Sequence, residues 1–189
     1  GNNQAEITKQ ILDKDDVDVN IQQKEGDTAL MFAIDRNQPE IATQILDKDD
    51  VDVKLKNQHG TTALMFAIHR NQSEIVRQIL DKDGVDVNIQ SDEGYTALMV
   101  AIDSKQPEIA KQILEKVDID INVQNKHGQT ALMSAAIKRQ YEIAVEILGK
   151  DNVNVSLLDK EGNTALMYSY PLNPFQFLKT YYKIISHKS

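Results

Sequence analysis

Few side chains in this 189-residue chain could carry chemistry. The four histidines, His59, His69, His127 and His187, are suited to proton transfer near neutral pH where a carboxylate stands beside them. There is no cysteine, which removes a cysteine nucleophile, a Cys-ligated zinc site and any disulfide framework. No Gly-x-Ser-x-Gly elbow, His-Glu-x-x-His pair or phosphate-cradling P-loop occurs. Clustered acids raise the question of calcium, in Asp13-Lys14-Asp15-Asp16, Asp47-Lys48-Asp49-Asp50 and Asp81-Lys82-Asp83-Gly84. A helix–loop–helix calcium loop needs oxygen ligands at its first, third and fifth positions and glycine at its sixth. Here Val17, Val51 and Val85 take the fifth position and Gly84 comes too early. The methionines could suggest a soft-metal column, but no Cys or His accompanies them in register, and core packing is their expected role. We therefore expect no catalytic residue, no cofactor and no metal ligand.

The elements that would position these groups repeat along the chain. Gly26, Gly60, Gly94, Gly128 and Gly162 fall 34 residues apart. Two residues after each comes Thr-Ala-Leu-Met, from Thr28–Met31 to Thr164–Met167, and all five methionines occupy this one position. Each unit reads as a short helix opened by threonine, with Leu30, Ala33 and Ile34 on one apolar stripe. Asn37-Gln38 breaks the pattern. Pro39 and Glu40 open a second helix carrying Ile41, Ala42, Ile45 and Leu46, and the acidic turn Asp47–Asp50 ends it. Val51, Val53 and Leu55 then alternate with polar residues, which predicts a short extended arm running to the next glycine.

A helical hairpin this small cannot bury both apolar faces alone, so neighbours must stack. Residues 2–189 read as a single domain with repeats at 23–56, 57–90, 91–124 and 125–158. A half repeat lies at 2–22 and a divergent C-terminal cap repeat at 159–189. In the half repeat, Glu6-Ile7 and Ile11-Leu12 align with Glu40-Ile41 and Ile45-Leu46, so it begins at a second helix. That helix is read either as a natural cap or as the remainder of a longer segment. At the other end Pro171 and Pro174 are expected to shorten the first helix. Tyr168, Tyr170, Phe175, Phe177, Tyr181 and Tyr182 gather six of the ten aromatics there, as a bulky cap or a docking patch.

These residues resemble the ankyrin-repeat family, whose signature is Thr-Pro-Leu-His-x-Ala. The matching positions are Gly26, Thr28, Leu30, Ala33, Glu40-Ile41, Ile45-Leu46 and Asp52-Val53, with their equivalents in the other units. The resemblance implies an all-α fold, an ankyrin-repeat solenoid of stacked helix-turn-helix units with short β-hairpin fingers. Three departures stand out. Alanine replaces the family's proline. Methionine replaces its histidine, whose ring ties the helix start to backbone in a way a thioether is not expected to match. The turn before Asp-Val gains a residue, as in Asp49-Asp50-Val51, which lengthens the repeat from about 33 residues.

The resemblance also implies where a partner would bind, at finger tips around the glycine and at the exposed end of the first helix. Carried over, these positions are Lys24, Glu25, Asp27, Asp35 and Arg36, then Gln58, His59, Thr61, His69 and Arg70. Asp92, Glu93, Tyr95, Asp103 and Ser104 follow, and then Lys126, His127, Gln129, Ile137 and Lys138. Tyr95 is the first choice of anchor, ahead of Arg36 and Arg70. The net charge of −8 disfavours sequence-independent nucleic-acid binding, and no apolar run of about 18 residues offers a membrane span. The acidic turns, with Lys14, Lys48, Lys82, Lys116 and Lys150 among them, read as a solvated ridge or as a landing strip for a basic partner. The expected function is a monomeric, non-catalytic protein–protein interaction module. The alternative is a scaffold or capping segment of a longer multidomain protein whose activity lies upstream.

Overall fold

A threonine hydroxyl starts four of the first helices. In the computed structural model, which describes residues 2–14 and 16–169, Thr28 Oγ1 accepts the backbone N–H of Met31 at 3.3 Å. Thr62 and Thr130 cap Met65 and Met133 at the same distance, and Thr96 caps Met99 at 3.4 Å. Buried threonine thus satisfies a donor that a helix start leaves orphaned. The first helices are α2 (Ala29–Asp35), α4 (Ala63–His69), α6 (Ala97–Asp103), α8 (Ala131–Ile137) and α10 (Ala165–Ser169). The second helices are α1 (Asn2–Leu12), α3 (Pro39–Leu46), α5 (Ser73–Leu80), α7 (Pro107–Leu114) and α9 (Tyr141–Leu148). Between first and second helix one residue takes a left-handed backbone, at Asn37, Asn71, Lys105 and Arg139. Asparagine tolerates this conformation well; lysine and arginine hold it at some cost.

The backbone forms two compact units, Gly1–Asp92 and Glu93–Ser189. In the first, α2 packs on α3 and α4, α1 packs on α3, and α5 packs on α3 and α4. In the second, α6 packs on α7 and α8, and α9 packs on α7 and α8, with α10 against α8. Each core is made of the stripes read from the sequence, such as Leu30, Ala33, Ile34, Ala42, Ile45 and Leu46. Met31, Met65, Met99 and Met133 are buried in it as expected, but Met167 is exposed. One thioether does more than fill space: Met133 Sδ accepts the N–H of Thr130 at 3.5 Å. It weakly closes the helix start in the way reserved above for the family's histidine. No helix of the described residues is long and apolar enough to cross a membrane.

The extended arm is shorter than the alternating pattern predicts. Asp52 Oδ1 accepts the N–H of Lys54 at 2.9 Å, and Asp18, Asp86, Asp120 and Asn154 accept from two residues ahead in the same way. These side-chain turns compete with a strand. The middle apolar residue of each arm, Val19, Val53, Val87, Ile121 or Val155, reaches the core, joined in the last arm by Val153. Among the described residues, strand-like pairing is confined to an antiparallel bridge between Lys56 and Thr62. Pro171, Pro174, Tyr170, Phe175, Phe177, Tyr181 and Tyr182, expected above to cap the stack, lie outside the described residues, as does His187.

Within each unit, side chains tie a repeat to the one before it. Gln72 Nε2 donates to the Ile34 carbonyl at 2.8 Å, and Gln140 does the same to Ile102. Lys48 Nζ donates to the Leu12 carbonyl at 2.8 Å, Lys82 to Lys48 at 3.3 Å and Lys150 to Leu114 at 2.5 Å. Lys48 and Lys150 thus cap the last carbonyls of α1 and α7, and Lys82 holds the turn that follows α3.

The fingers approach one another most closely at glycine. Gly60 has φ of +69°, and a Cβ there would stand 2.7 Å from the backbone nitrogen of Asp92. Gly162 has φ of +80° but would meet nothing within 4 Å. Replacing either with alanine imposes backbone strain of about 1–2 kcal/mol. Gly60→Ala adds the clash, about 1–3 kcal/mol more. Urea unfolding of the two variants is expected to show the larger loss at Gly60.

Candidate functional site

The finger tips are built from backbone before any side chain matters. In the first unit the turn closes through Gly60 N–H to the Asn57 carbonyl at 2.9 Å. Asn57 Oδ1 also accepts the N–H groups of His59 and Thr61, both at 3.0 Å. Neighbouring fingers are laced together, Gln58 N–H to the Glu25 carbonyl at 2.9 Å and Asp92 N–H to His59 at 2.8 Å. The second unit repeats the pattern, with Lys126 N–H on Glu93 and Lys160 N–H on His127, both at 2.9 Å. Fixed loops of this kind lose little entropy when a partner lands on them.

Eight of the expected contact residues stand on these tips and are exposed: Lys24, Glu25, Gln58, His59, Asp92, Glu93, Lys126 and His127. Lys126 Nζ lies 3.4 Å from Glu93, a solvent-facing pair. The other finger positions face inward. Asp27, Thr61, Tyr95 and Gln129 are half-buried. Asp27 accepts from Asn57 Nδ2 at 2.8 Å and from Gln23 Nε2 at 3.2 Å, so its carboxylate is spent between fingers. Tyr95 is likewise drawn in. Burial pushes its hydroxyl pKa up, the Asp103 and Glu93 carboxylates add to that, and the Asn125 side chain works against it.

At the helix ends the charges pair within each unit. Arg70 reaches back to Asp35, Nη2 at 2.5 Å and Nε at 3.2 Å. Lys138 Nζ lies 3.7 Å from Asp103. Arg36, His69 and Ile137 are exposed and Ser104 is half-buried. Arg36 has no ion pair among the described residues. His59, His69 and His127 are all solvent-facing, and no three potential metal ligands cluster among the described residues.

One pair of residues escaped the sequence reading. Phe32 is 42% exposed and Phe66 is half-buried, each four residues before an arginine on the packed helices α2 and α4. Residues four apart share a helix face, so Phe32 and Phe66 add apolar surface beside Arg36 and Arg70. The signal was available: position 32 lies off the Leu30, Ala33, Ile34 stripe, where an aromatic has no core to fill.

Asp159 marks the last described finger. It is buried, and its Oδ1 accepts the N–H groups of Glu161 and Asn163 at 3.0 and 2.8 Å. Its Oδ2 takes the Tyr168 hydroxyl. That hydroxyl, more than the backbone donors, holds the Asp159 carboxyl below its ordinary pKa against the opposing effect of burial. The same carboxylate raises the pKa of Tyr168.

The comparisons agree with this architecture. A family model of ankyrin repeats in three copies matches residues 1–91 and 50–125. A second, of ankyrin repeats in many copies, matches residues 113–168. The structure is similar to the crystal structure of the ankyrin repeat protein EF0377, with a TM-score of 0.80 and 27% identity over 94% of this chain and 92% of that one. It is similar in fold to an ankyrin repeat domain from Acinetobacter baumannii AYE, with a TM-score of 0.81 and 24% identity over 97% and 93% of the two chains. No curated protein sequence matches the chain.

Asp159 yields a pH prediction. Its folded pKa lies below its unfolded value, so the folded form binds the proton less readily. Its stabilisation is complete above the unfolded pKa, about 4, and is lost as pH falls through the depressed folded value. Thermal melts at stepped pH are expected to show Asp159→Asn flattening the acid limb below about pH 4.

Proposed function

We propose, from the premise that this chain belongs to the ankyrin-repeat family, that it is a non-catalytic module gripping one partner protein. Ankyrin repeats in general mediate protein–protein interaction, and their fold is typically non-catalytic. The finer reading is that contact is made by the finger tips and by the exposed ends of the first helices. The observation that carries it is the contrast within each finger: a backbone pinned by successive hydrogen bonds, and side chains such as His59 and Lys126 left exposed above it.

The structure reorders the candidates. Exposed tip residues Lys24, Glu25, His59, Asp92, Glu93, Lys126 and His127 can meet a partner without dismantling the fold, whereas the Gln58 amide donates to the Lys24 carbonyl of the neighbouring finger. Asp27, Asp35 and Tyr95 contribute framework, and changing them would confound binding with stability. Arg36, Phe32 and Ile137 supply exposed surface on the helix ends, where arginine and aromatic side chains often dominate interface energetics.

A photo-crosslinking amino acid at His59 or Lys126 is expected to trap one protein partner, and the same group at Glu74, exposed on α5, is expected to trap none. His59→Glu and Lys126→Glu should each weaken the recovered complex about fivefold or more while leaving the melting curve in place. Equal crosslinking from all three positions, or affinity indifferent to both substitutions, would overturn this reading.

A further inference from the structure

Arg70 has one edge of its guanidinium occupied and one edge open. It caps α4, where its backbone N–H donates to the Phe66 carbonyl at 2.9 Å. Its side chain reaches Asp35, the last residue of α2, which packs beside α4. Nε and Nη2 both donate to Asp35 Oδ1, at 3.2 and 2.5 Å. A guanidinium carries five N–H donors in a rigid plane, one on Nε and two on each Nη. The grip of Asp35 takes the inner edge and fixes the plane. The outer fork, formed by Nη1 and the second N–H of Nη2, has no partner among the described residues, and the side chain is 45% exposed.

Apolar surface stands beside that fork. Phe66, one turn earlier, shares the helix face of Arg70 and is only half-buried. The two helix ends also carry Arg36 and His69, both exposed. Asp35, Arg36, His69 and Arg70 thus set two guanidiniums against one carboxylate, in a chain whose net charge is −8. The second unit lacks this arrangement. Lys138 stands at the position of Arg70, with Nζ 3.7 Å from Asp103, and Ser134 is buried at the position of Phe66. An ammonium is a point charge with no fork to aim.

We propose that Arg70 and Phe66 form a docking point for an Asp or Glu side chain of the partner protein that lies beside an apolar residue. The carboxylate takes the open fork of Arg70 in a bidentate pair, and the apolar side chain covers Phe66. Asp35 is a positioning residue. It holds the guanidinium plane in advance, so binding does not have to freeze a free side chain. A single carboxylate suits the fork better than a phosphate, because Asp35 stays in place and repels a dianion more strongly. This docking point rests on the proposal that first-helix ends meet a partner protein, and adds the chemistry they select.

The probe is a library of random dodecapeptides displayed on phage and selected on the immobilised full chain. Fused to the coat protein through their C-termini, the peptides offer carboxylates only on acidic side chains. Most recovered sequences are expected to hold Asp or Glu next to Leu, Ile, Phe or Trp. One such peptide, amide-capped, is then titrated into the chain by calorimetry. Changing its acidic residue to lysine should weaken binding about tenfold, and Arg70→Glu should bring that lysine peptide back to within about threefold of the original pair. Arg70→Lys and Phe66→Ala should each cost the original peptide about fivefold. Asp35→Ala should weaken it about threefold, and Asp35→Asn, which still accepts from Arg70, should recover most of that loss. A tighter complex with Asp35→Ala would overturn the orienting role. Lys9→Glu, a charge reversal at an exposed residue of α1, should leave affinity unchanged. Circular dichroism melts confirm that the variants fold. A selection that recovers no binder, binders without acidic residues, or absence of the charge-swap rescue overturns the proposal. If affinity falls with His59→Glu but not with Arg70→Glu, the finger-tip reading survives that loss; if it falls with neither, both are overturned.

Discussion

A helix of seven or eight residues cannot satisfy its own ends. Its last carbonyls have no partner within the helix, and a helix this short is unstable in isolation. The first and second helices here are of that length, α1 and α10 apart, so the structure depends on a supply of donors from elsewhere. The following repeat provides them. Gln72 and Gln140 answer the carbonyls of Ile34 and Ile102, and Lys48 and Lys150 answer those of Leu12 and Leu114. Apolar stacking supplies the larger share of the stabilisation, but these donors set the register in which stacking occurs. They have a cost of their own, since the Oε1 atoms of Gln72 and Gln140 are buried without a partner.

The framework was legible in the sequence because it is repeated. Five glycines and five Thr-Ala-Leu-Met runs in step leave one reading of the helices, and Thr28, Thr62, Thr96 and Thr130 cap them as their chemistry suggests. What the pattern could not reveal was competition over short distances. Val51, Val53 and Leu55 alternate as a strand would, yet the Asp52 carboxylate captures the N–H of Lys54 and turns the chain. Nor did composition show that Lys48 and Lys150, in the acidic turns, cap helix ends. That role requires knowing that position 48 lies beside the end of the helix one repeat earlier.

The candidate surface was legible only in outline. The resemblance points to the finger-tip positions as a group, and they vary from repeat to repeat, but the structure divides them. Those at the turn apex, such as His59 and Lys126, are exposed. Those one or two residues later, such as Asp27 and Tyr95, lean on the next finger. Variation at the second kind reflects pairwise fit between neighbours: Asp27 suits Asn57, and Tyr95 meets Asn125. A single sequence cannot separate such compensation from recognition, because both appear as change against a constant frame.

The backward reach of these side chains gives each hairpin a polarity. Within a unit it offers donors toward its predecessor and helix-end carbonyls to its successor, so its two sides match each other head to tail. A hairpin duplicated in register brings both halves of that match with it. The chain can therefore gain or lose a 34-residue module without any existing interface being rebuilt, which makes module number an easy quantity for evolution to change.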